Sequence, residues 1–456
     1  MVKIYNKKNF LNSSIIAILL ILLVLMPFGT FLIQLIKLFF EHVGINLPDL
    51  IIKALYGWKE ILLVIGLLLV LIKSILEKKF PFKINQFDIV IFLIMLVGLV
   101  YGGFLVKRLD RIVYGFRYDF LVFLFYFLAR SAKVKREAIS KYVKIIIYFS
   151  IPLMLFGILQ TFILPHGFMT LFGYSLNDSI TGNPLPPYHL VGNIVRAMAT
   201  FPGPNSLAMY LVFIFFAVLF FGKELFNKYL KYLLLALSFF TLILTFSRGH
   251  IFSLIFALIF VVLLFRANRT DRPNDAKKSL VLRSMVATAI LMVSSALIFA
   301  GTFWLADFSK NQSSTLGTII LRESSTEMHS FMRNLAIEPI EKQPWGYGIG
   351  TAGLATTNIP DAKFNPESWP VQLVFEYGFL GLIFFFLIIY SALYLFFDLF
   401  AKNKDLKQRR FILFFAAFFL AIIISTNFLP SWFEVGSLMW WILLGLFFSY
   451  HFEKNN

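Results

Sequence analysis

The chain has 456 residues, of which 59% are hydrophobic, 18% aromatic and only 14% charged. This composition is typical of a polytopic membrane protein and excludes an ordinary soluble enzyme. The chain contains no cysteine, which excludes disulfides, thiolate metal sites and cysteine nucleophiles.

Apolar runs recur along the whole chain, and each is long enough to cross a bilayer, which takes about 17–25 residues. The first run has no small-residue cleavage site, so we expect a retained span and not a signal peptide. The predicted fold is all-α, a single membrane domain over residues 1–456 with about twelve transmembrane helices. The runs lie near residues 13–33, 55–76, 87–106, 112–130, 144–164, 205–221, 229–246, 249–265, 284–305, 371–398, 411–428 and 433–450.

Lysine and arginine concentrate in alternate connections between these runs and at both ends of the chain. The positive-inside rule places such segments in the cytoplasm, so both termini are predicted to be cytoplasmic. The formal net charge of +18 therefore has a topological cause, and nucleic acid binding is not needed to explain it.

Two long connections, 165–204 and 306–370, are predicted to lie on the extracytoplasmic side. Loops longer than about 12–15 residues are usually functional or disordered, and aromatic residues in both favour function. The second loop, between spans nine and ten, is predicted to carry a short amphipathic helix over 324–338 on the membrane surface, ending before Pro339. Ser324 and Glu327 match a capping box at its start. One face is apolar and Arg333 falls on the opposite, polar side; the apolar residues are Met328, Phe331, Met332 and Leu335. The glycines of 346–350 indicate a tight turn.

Arg248 is a permanent cation in the short connection between two apolar runs, with no acidic neighbour in sequence. Arg196, Arg322 and Arg117 are further cations that can reach the same side. A cluster of arginines beside lipid suits a lipid-linked phosphate or pyrophosphate, because guanidinium groups bind phosphate oxygens bidentately.

Each of these cations also has a simpler interpretation. Arg248 can be an interfacial arginine that extends its charge towards water. Arg196 can be a solvated loop charge, Arg322 a polar loop residue, and Arg117 a donor in a structural interhelical hydrogen bond. Asn205 can be a helix cap.

Glu367 is the candidate general base. Asn365 as N-cap and Pro366 as first helical residue predict that Glu367 lies in the first turn of the tenth span. The helix dipole favours an acid there in any case, which is the alternative explanation. No spacing of His, Asp and Glu resembles a metal site, so no metal is predicted.

Several motifs in residues 190–385 together resemble the O-antigen ligase/O-antigen polymerase superfamily. They are Phe201-Pro202-Gly203-Pro204-Asn205, Thr245-Phe246-Ser247-Arg248-Gly249, Pro344-Trp345-Gly346-Tyr347-Gly348, Glu367-Ser368 and Glu376-Tyr377-Gly378-Phe379-Leu380-Gly381-Leu382.

The resemblance implies a metal-independent glycosyltransferase of the bacterial inner membrane that uses undecaprenyl-pyrophosphate-linked sugars. Undecaprenyl pyrophosphate is then a substrate carrier, and no cofactor is implied. The ligase branch has a His-Asn pair eleven residues before the glycine that corresponds to Gly378. Here Glu367-Ser368 occupies that place, which favours the polymerase branch. The pyrophosphate-binding arginines of the family fall on Arg248, Arg196 and Arg322.

The predicted function is therefore polymerisation of lipid-linked oligosaccharide repeat units on the extracytoplasmic face. Glu367 and Arg248 are the predicted catalytic residues, with Arg196 and Arg322 binding pyrophosphate. The candidate supporting residues in this scheme are Arg117, Asn205, Ser247 and Ser368.

Two other functions stay open. One is a ligase that transfers the glycan to lipid A core or to protein. The other is a transporter or flippase of lipid-linked sugars, although the chain shows no internal repeat and its key polar residues gather at one surface. The expected partners are the lipid-linked substrates, membrane lipids, and a chain-length regulator and flippase of the same pathway.

Overall fold

A computed structural model of the chain describes residues 2–175, 185–266, 276–310, 323–359, 364–428 and 431–454. These residues are mostly helical, which confirms the prediction of a helical fold. One short hairpin is formed by strands β1, Leu190–Val191, and β2, Ile194–Val195. The helices are α1 Val2–Leu25, α2 Gly29–His42, α3 Asp49–Tyr56, α4 Trp58–Glu77, α5 Gln86–Val106, α6 Leu109–Asp119, α7 Leu121–Arg130, α8 Arg136–Phe162, α9 Pro204–Leu225, α10 Lys228–Leu244, α11 Arg248–Arg266, α12 Ala276–Lys310, α13 Glu323–Lys342, α14 Trp369–Tyr377, α15 Phe379–Lys402, α16 Leu406–Ser425 and α17 Val435–Lys454.

Among the described residues, 7 helices are long and apolar enough to cross a membrane, or up to 8 if a bent pair counts as one span. The protein is therefore a multi-pass membrane protein, while the number of about twelve spans stays a prediction. The 7 candidates are Asn9–His42, Gln86–Val106, Arg136–Phe162, Pro204–Leu225, Phe379–Lys402, Leu406–Ser425 and Val435–Phe452.

The fourth and the tenth of the expected continuous spans are broken helices. The fourth run divides at Phe120 into α6 and α7, which are bent by 54°. The tenth run divides at Gly378 into α14 and α15. Gly378 has a φ of +58°, and a β carbon there would lie 2.2 Å from the carbonyl oxygen of Pro344. Only glycine fits such a position without strain.

Helix α13 confirms the helix predicted over 324–338 but does not end before Pro339. It continues to Lys342. A proline inside a helix removes one amide donor, yet its carbonyl still accepts hydrogen bonds. Here the carbonyl oxygen of Pro339 accepts from the amide of Gln343 at 2.9 Å and from the hydroxyl of Tyr347 at 3.0 Å.

The chain divides into two compact units. The first contains Met1–Lys83, Val122–Ser247 and Glu434–Asn456, and the second contains Ile84–Leu121 and Arg248–Phe433. In the first unit α9 is the central helix and packs against α8, α10 and α17. In the second unit α15 packs against α5, α12, α14 and α16.

The predicted tight turn follows α13 and is buried in the second unit. Gly346, Gly348 and Gly350 all have positive φ angles. A β carbon on Gly350 would lie 2.2 Å from the carbonyl oxygen of Arg111, so the turn packs directly against the backbone of α6. The turn is followed along the chain by Glu367, a candidate site residue of the second unit.

Candidate functional site

Arg196 is held in the first unit by a short β-hairpin. Strands β1, Leu190–Val191, and β2, Ile194–Val195, pair in antiparallel fashion, and Arg196 follows β2 directly. Its amide donates to the carbonyl oxygen of His189 at 2.9 Å. Only 5% of Arg196 is exposed, so it is not a solvated loop charge.

The guanidinium group of Arg196 brings three of the predicted site residues together. Nε donates to the carbonyl oxygen of Thr245 at 2.7 Å, and Nη2 donates to Oδ1 of Asn205 at 3.1 Å. The same Oδ1 accepts from Oγ of Ser247 at 3.0 Å. Arg196, Asn205 and Ser247 therefore form one hydrogen-bonded group beside the start of α9.

The interpretation of Asn205 as a helix cap is wrong. Helix α9 begins at Pro204, and its N-cap is Gly203, which makes no side-chain capping bond. Proline at the first helical position needs no acceptor for its nitrogen. The Asn205 side chain is consequently available to Arg196 and Ser247.

Gln160 fixes the loop that carries Arg196, and no pattern in the sequence indicates this role. Its Oε1 accepts from the amides of Met198 at 3.2 Å and Ala199 at 2.7 Å, and its Nε2 donates to the carbonyl oxygen of Ala199 at 3.0 Å. Ala199 has a φ of +49°, which is unfavourable for a residue with a β carbon. The amide of Gln160 thus stabilises a strained turn three residues after Arg196.

A small hollow with room for about one water molecule adjoins Arg196. Its lining is largely apolar and includes Leu164, Phe168 and Met198. A buried cation beside apolar side chains suits an anionic group attached to an apolar chain.

Arg248 is the first residue of α11 and is half-buried. It directly follows Ser247, whose amide donates to Oγ1 of Thr245 at 3.2 Å. Phe246 has a φ of +49°, so the connection between α10 and α11 is a tight turn, as its length in the sequence indicates.

Glu367 lies in the second unit, immediately before α14 and not inside its first turn. The helix begins at Trp369, with Ser368 as N-cap and Pro370 within its first two residues. Glu367 has a φ of +52°, and its amide donates to Oδ1 of Asn365 at 3.0 Å. The expectation that Asn365 caps this helix is therefore wrong, because its side chain closes a local turn around Glu367 instead.

Arg333, on α13, is a charged neighbour of Glu367, although the helical pattern predicts only that it lies on the polar side of the helix. It is 1% exposed, and its Nη2 donates to the carbonyl oxygen of Asn427 at 2.6 Å. Burial lowers the pKa of Arg333 to about 10, while the negative charge of Glu367 acts in the opposite direction. Arg333 is therefore still charged near neutral pH.

The predicted apolar stripe of α13 faces outward. Phe331 is 56% exposed and Leu335 is 46% exposed, whereas Arg333 and Ala336 are buried. In the sequence, Arg333 can be recognised as the arginine on the side of α13 opposite the apolar stripe.

Arg117 and Asp119 contact different side chains. The guanidinium carbon of Arg117 lies 5.6 Å from the ring centroid of Tyr118. Asp119 accepts from Nε2 of Gln372 and from the hydroxyl of Tyr377, both at 2.9 Å. This agrees with the expectation that residues two apart on a helix point to different faces.

Some of the predicted features cannot be placed. Arg322 lies outside the described residues, as do the side chains of Ser324 and Glu327, the expected capping pair. Ser368 is 3% exposed. In the described part of the chain, no three His, Asp or Glu side chains are grouped so as to hold a metal ion.

Comparison with known proteins agrees with these features. The helices define a multi-pass membrane protein. Residues 233–386 match the family model described as O-antigen ligase, and this match supports the resemblance to the O-antigen ligase/O-antigen polymerase superfamily. Arg248, Arg333 and Glu367 all lie inside it. Neither the curated proteins nor the solved structures compared with the chain include a match.

Proposed function

We propose that the protein polymerises undecaprenyl-pyrophosphate-linked oligosaccharide repeat units into a surface polysaccharide, such as O-antigen, capsule or exopolysaccharide. The reaction is a metal-independent, inverting glycosyl transfer on the extracytoplasmic face of the bacterial inner membrane. The observation that carries this proposal is an acid, Glu367, beside a buried arginine, Arg333, within the segment that matches the O-antigen ligase family.

Glu367 acts as the general base. A hydroxyl of the acceptor sugar attacks the anomeric carbon of the donor, and its proton passes to the Glu367 carboxylate. The bond from the anomeric carbon to the pyrophosphate oxygen breaks, and its electron pair leaves with the pyrophosphate. A positioned base typically contributes about 10²–10⁴-fold to the rate. Arg333 places a positive charge next to the Glu367 carboxylate, which is the form that accepts the proton.

Arg248 and Arg196 stabilise the charge that develops on the leaving pyrophosphate. Preorganised cations of this kind usually supply the largest share of catalysis. Arg196 is already oriented by Thr245 and Asn205, so little reorganisation is needed when phosphate binds. Arg322 is proposed as a third pyrophosphate ligand, with Ser247 supporting Arg196 through Asn205.

A ligase is the second candidate function, because the matching family model is described as O-antigen ligase. In that case the same donor chemistry holds, and the acceptor is lipid A core or a protein in place of another lipid-linked repeat unit. The acid at 367 favours the polymerase.

The glycan pattern of a deletion strain complemented with Glu367→Gln tests the proposal and separates the two candidates. Loss of long chains with a single unit still attached indicates a polymerase. Loss of all attached glycan indicates a ligase. A wild-type pattern at equal protein level contradicts the assignment of Glu367 as base.

Glu434 offers a matched control, since it is an acid of the same type in the first unit. It is half-buried, and burial raises its pKa despite a hydrogen bond with Ser206 and the positive charge of Lys59. Glu434→Gln is expected to retain long chains. If Glu434→Gln loses them and Glu367→Gln keeps them, the base has been assigned to the wrong residue.

A further inference from the structure

Asp119, the last residue of α6, holds three side chains of α14. Its Oδ1 accepts from Nε2 of Gln372 and its Oδ2 accepts from the hydroxyl of Tyr377, both at 2.9 Å. The carboxyl group of Glu376 is hydrogen-bonded to it as well. All four residues are buried. Ionisable side chains are costly inside a membrane domain and usually have a functional reason to be there.

The tight turn of 346–350 fixes the carboxyl end of α14 through the backbone alone. The amide of Gly348 donates to the carbonyl oxygen of Glu376 at 2.8 Å. The amide of Tyr347 donates to the carbonyl oxygen of Phe375 at 2.9 Å. The part of α14 that depends on a side-chain anchor is therefore its beginning.

Gln372 connects Asp119 to the beginning of α14, next to Glu367. Its amide donates to the carbonyl oxygen of Ser368 at 2.9 Å, which closes the first turn of the helix. Ser368 is the N-cap and directly follows Glu367. The side chain of Gln372 has little room to turn away, because a β carbon on Gly353 would overlap its Oε1. The bond to Asp119 thus holds the backbone that carries Glu367.

Glu367 needs this support because its backbone is strained. Its φ is +52°, and a residue with a β carbon keeps such a conformation only where its surroundings enforce it. Asn365 supports the turn from one side with its bond of 3.0 Å, and α14 begins on the other. A general base has to lie about 2.6–3.2 Å from the proton donor, and a misplacement of about 1 Å can lower the rate by about 10²-fold.

We propose that Asp119 is a positioning residue for Glu367, which acts through Gln372 and the first turn of α14 without touching the substrate. The proposal rests on the proposed function, because it takes Glu367 as the general base. It adds a residue outside the segment 233–386 that matches the O-antigen ligase family. Loss of the anchor is expected to affect the chemical step and not the binding of the donor.

The kinetic test measures kcat and KM of the purified protein with undecaprenyl-pyrophosphate-linked repeat units. Gln372→Met removes the bond to Asp119 and keeps a side chain of similar length. We expect kcat to fall about 10–100-fold, while KM changes by less than about twofold. Gln372→Asn retains an amide that is too short to reach Asp119, and it replaces Gln372→Met if that variant does not fold.

Gln343→Met is the matched control, because the same substitution in the same unit also removes one side-chain hydrogen bond. Nε2 of Gln343 donates to the carbonyl oxygen of Gly346 at 2.7 Å and does not contact Asp119. Its kcat is expected to stay within about twofold of the wild type. An unchanged kcat for Gln372→Met overturns the proposal, as does an equal loss for Gln343→Met.

Gln372→Met in the Glu367→Gln protein separates positioning from a general loss of structure. If the anchor acts through Glu367, the residual activity of Glu367→Gln falls by less than about twofold when Gln372→Met is added. An equal fold loss with and without Glu367 shows that the network serves stability only and overturns the proposal.

A spin label at position 367 gives a readout that needs no turnover. The chain contains no cysteine, so Glu367→Cys introduces a unique attachment point. The label is expected to become more mobile with Gln372→Met and to stay unchanged with Gln343→Met. If the label responds but the wild type shows no transfer, the proposed function fails while the coupling of Asp119 to position 367 holds. If Glu367→Gln abolishes transfer and the label does not respond to Gln372→Met, the base assignment stands and the positioning role is wrong.

Discussion

The carboxyl groups of Asp119 and Glu376 are hydrogen-bonded to each other in the interior of the second unit, where they are 1% and 0% exposed. Two carboxyls that touch in a buried site hold one proton between them, because both cannot be ionised. Asp119 accepts from Gln372 and Tyr377. We therefore infer that Asp119 is the ionised member and that Glu376 donates to it; Glu376 itself accepts from the amide of Ala352 at 3.1 Å.

This asymmetry predicts different effects for two isosteric substitutions. Glu376→Gln keeps a donor for Asp119 and an acceptor for Ala352, so the free energy of unfolding is expected to change by less than about 1 kcal/mol. Asp119→Asn places an amide where several donors converge and is expected to cost about 1–3 kcal/mol. Thermal unfolding in detergent measures both. Glu376→Gln as the less stable variant contradicts the assignment of the proton.

Arg333 and Glu367 are predicted to act as a coupled pair. Arg333→Met leaves Glu367 without its nearby cation and is expected to lower both stability and transfer activity. The double variant with Glu367→Gln is expected to be little worse than either single variant, with a coupling energy of about 0.5–3 kcal/mol. Transfer activity and the free energy of unfolding are measured for four proteins: the wild type, the two single variants and the double variant.

Lys342 provides the control for that cycle. It pairs with Glu338 on the same helix, but both side chains are largely exposed, and such surface pairs contribute about 0–1 kcal/mol. Lys342→Met is expected to leave activity unchanged. Additive effects of the Arg333 and Glu367 substitutions would contradict the pairing.

Gln160 is predicted to be a positioning residue for Arg196. Gln160→Leu removes three hydrogen bonds from the turn at Met198 and Ala199, so Arg196 is held less firmly. We expect a higher KM for the lipid-linked donor with a smaller change in kcat. Thr161→Val is the control, because the hydroxyl of Thr161 bonds only within its own helix, to Gly157 at 3.2 Å. Equal effects of the two variants contradict a positioning role.

Transfer activity is predicted to persist in excess EDTA. Arginines supply the positive charge that divalent cations supply in other transferases, and pyrophosphate clamped in this way is a good leaving group. Turnover of the purified protein with and without chelator measures this. Loss of activity that returns on addition of Mg²⁺ or Mn²⁺ shows that the arginines do not suffice.

Hydropathy and charge in the sequence predict a helical, multi-pass membrane protein, because these patterns reflect the lipid environment directly. They do not reveal breaks inside apolar runs. Phe120 and Gly378 interrupt two runs without any change of hydropathy, since the breaks come from tertiary packing. Of these two residues, only Gly378 gives a partial signal of the break in the sequence, because glycine tolerates the backbone conformation found there.

The sequence indicates the residue types of the candidate site better than their geometry. Arg196, Asn205 and Ser247 all stand out in the sequence, but their shared hydrogen bonds depend on a fold that brings distant segments together. Arg333 was placed on a polar face and not beside Glu367, because a sequence pattern shows which face a side chain occupies but not what covers that face. Glu367 was expected inside a helix, and the local bond from Asn365 prevents this.

The most direct test of the proposed polymerase uses purified protein with undecaprenyl-pyrophosphate-linked repeat units as the sole substrate. Polymerisation predicts release of undecaprenyl pyrophosphate together with lipid-linked chains of two or more repeats, and Glu367→Gln is expected to slow both by about 10²–10⁴-fold. If the wild-type protein forms no longer chains and releases pyrophosphate lipid only after lipid A core or an acceptor protein is added, the polymerase assignment is wrong.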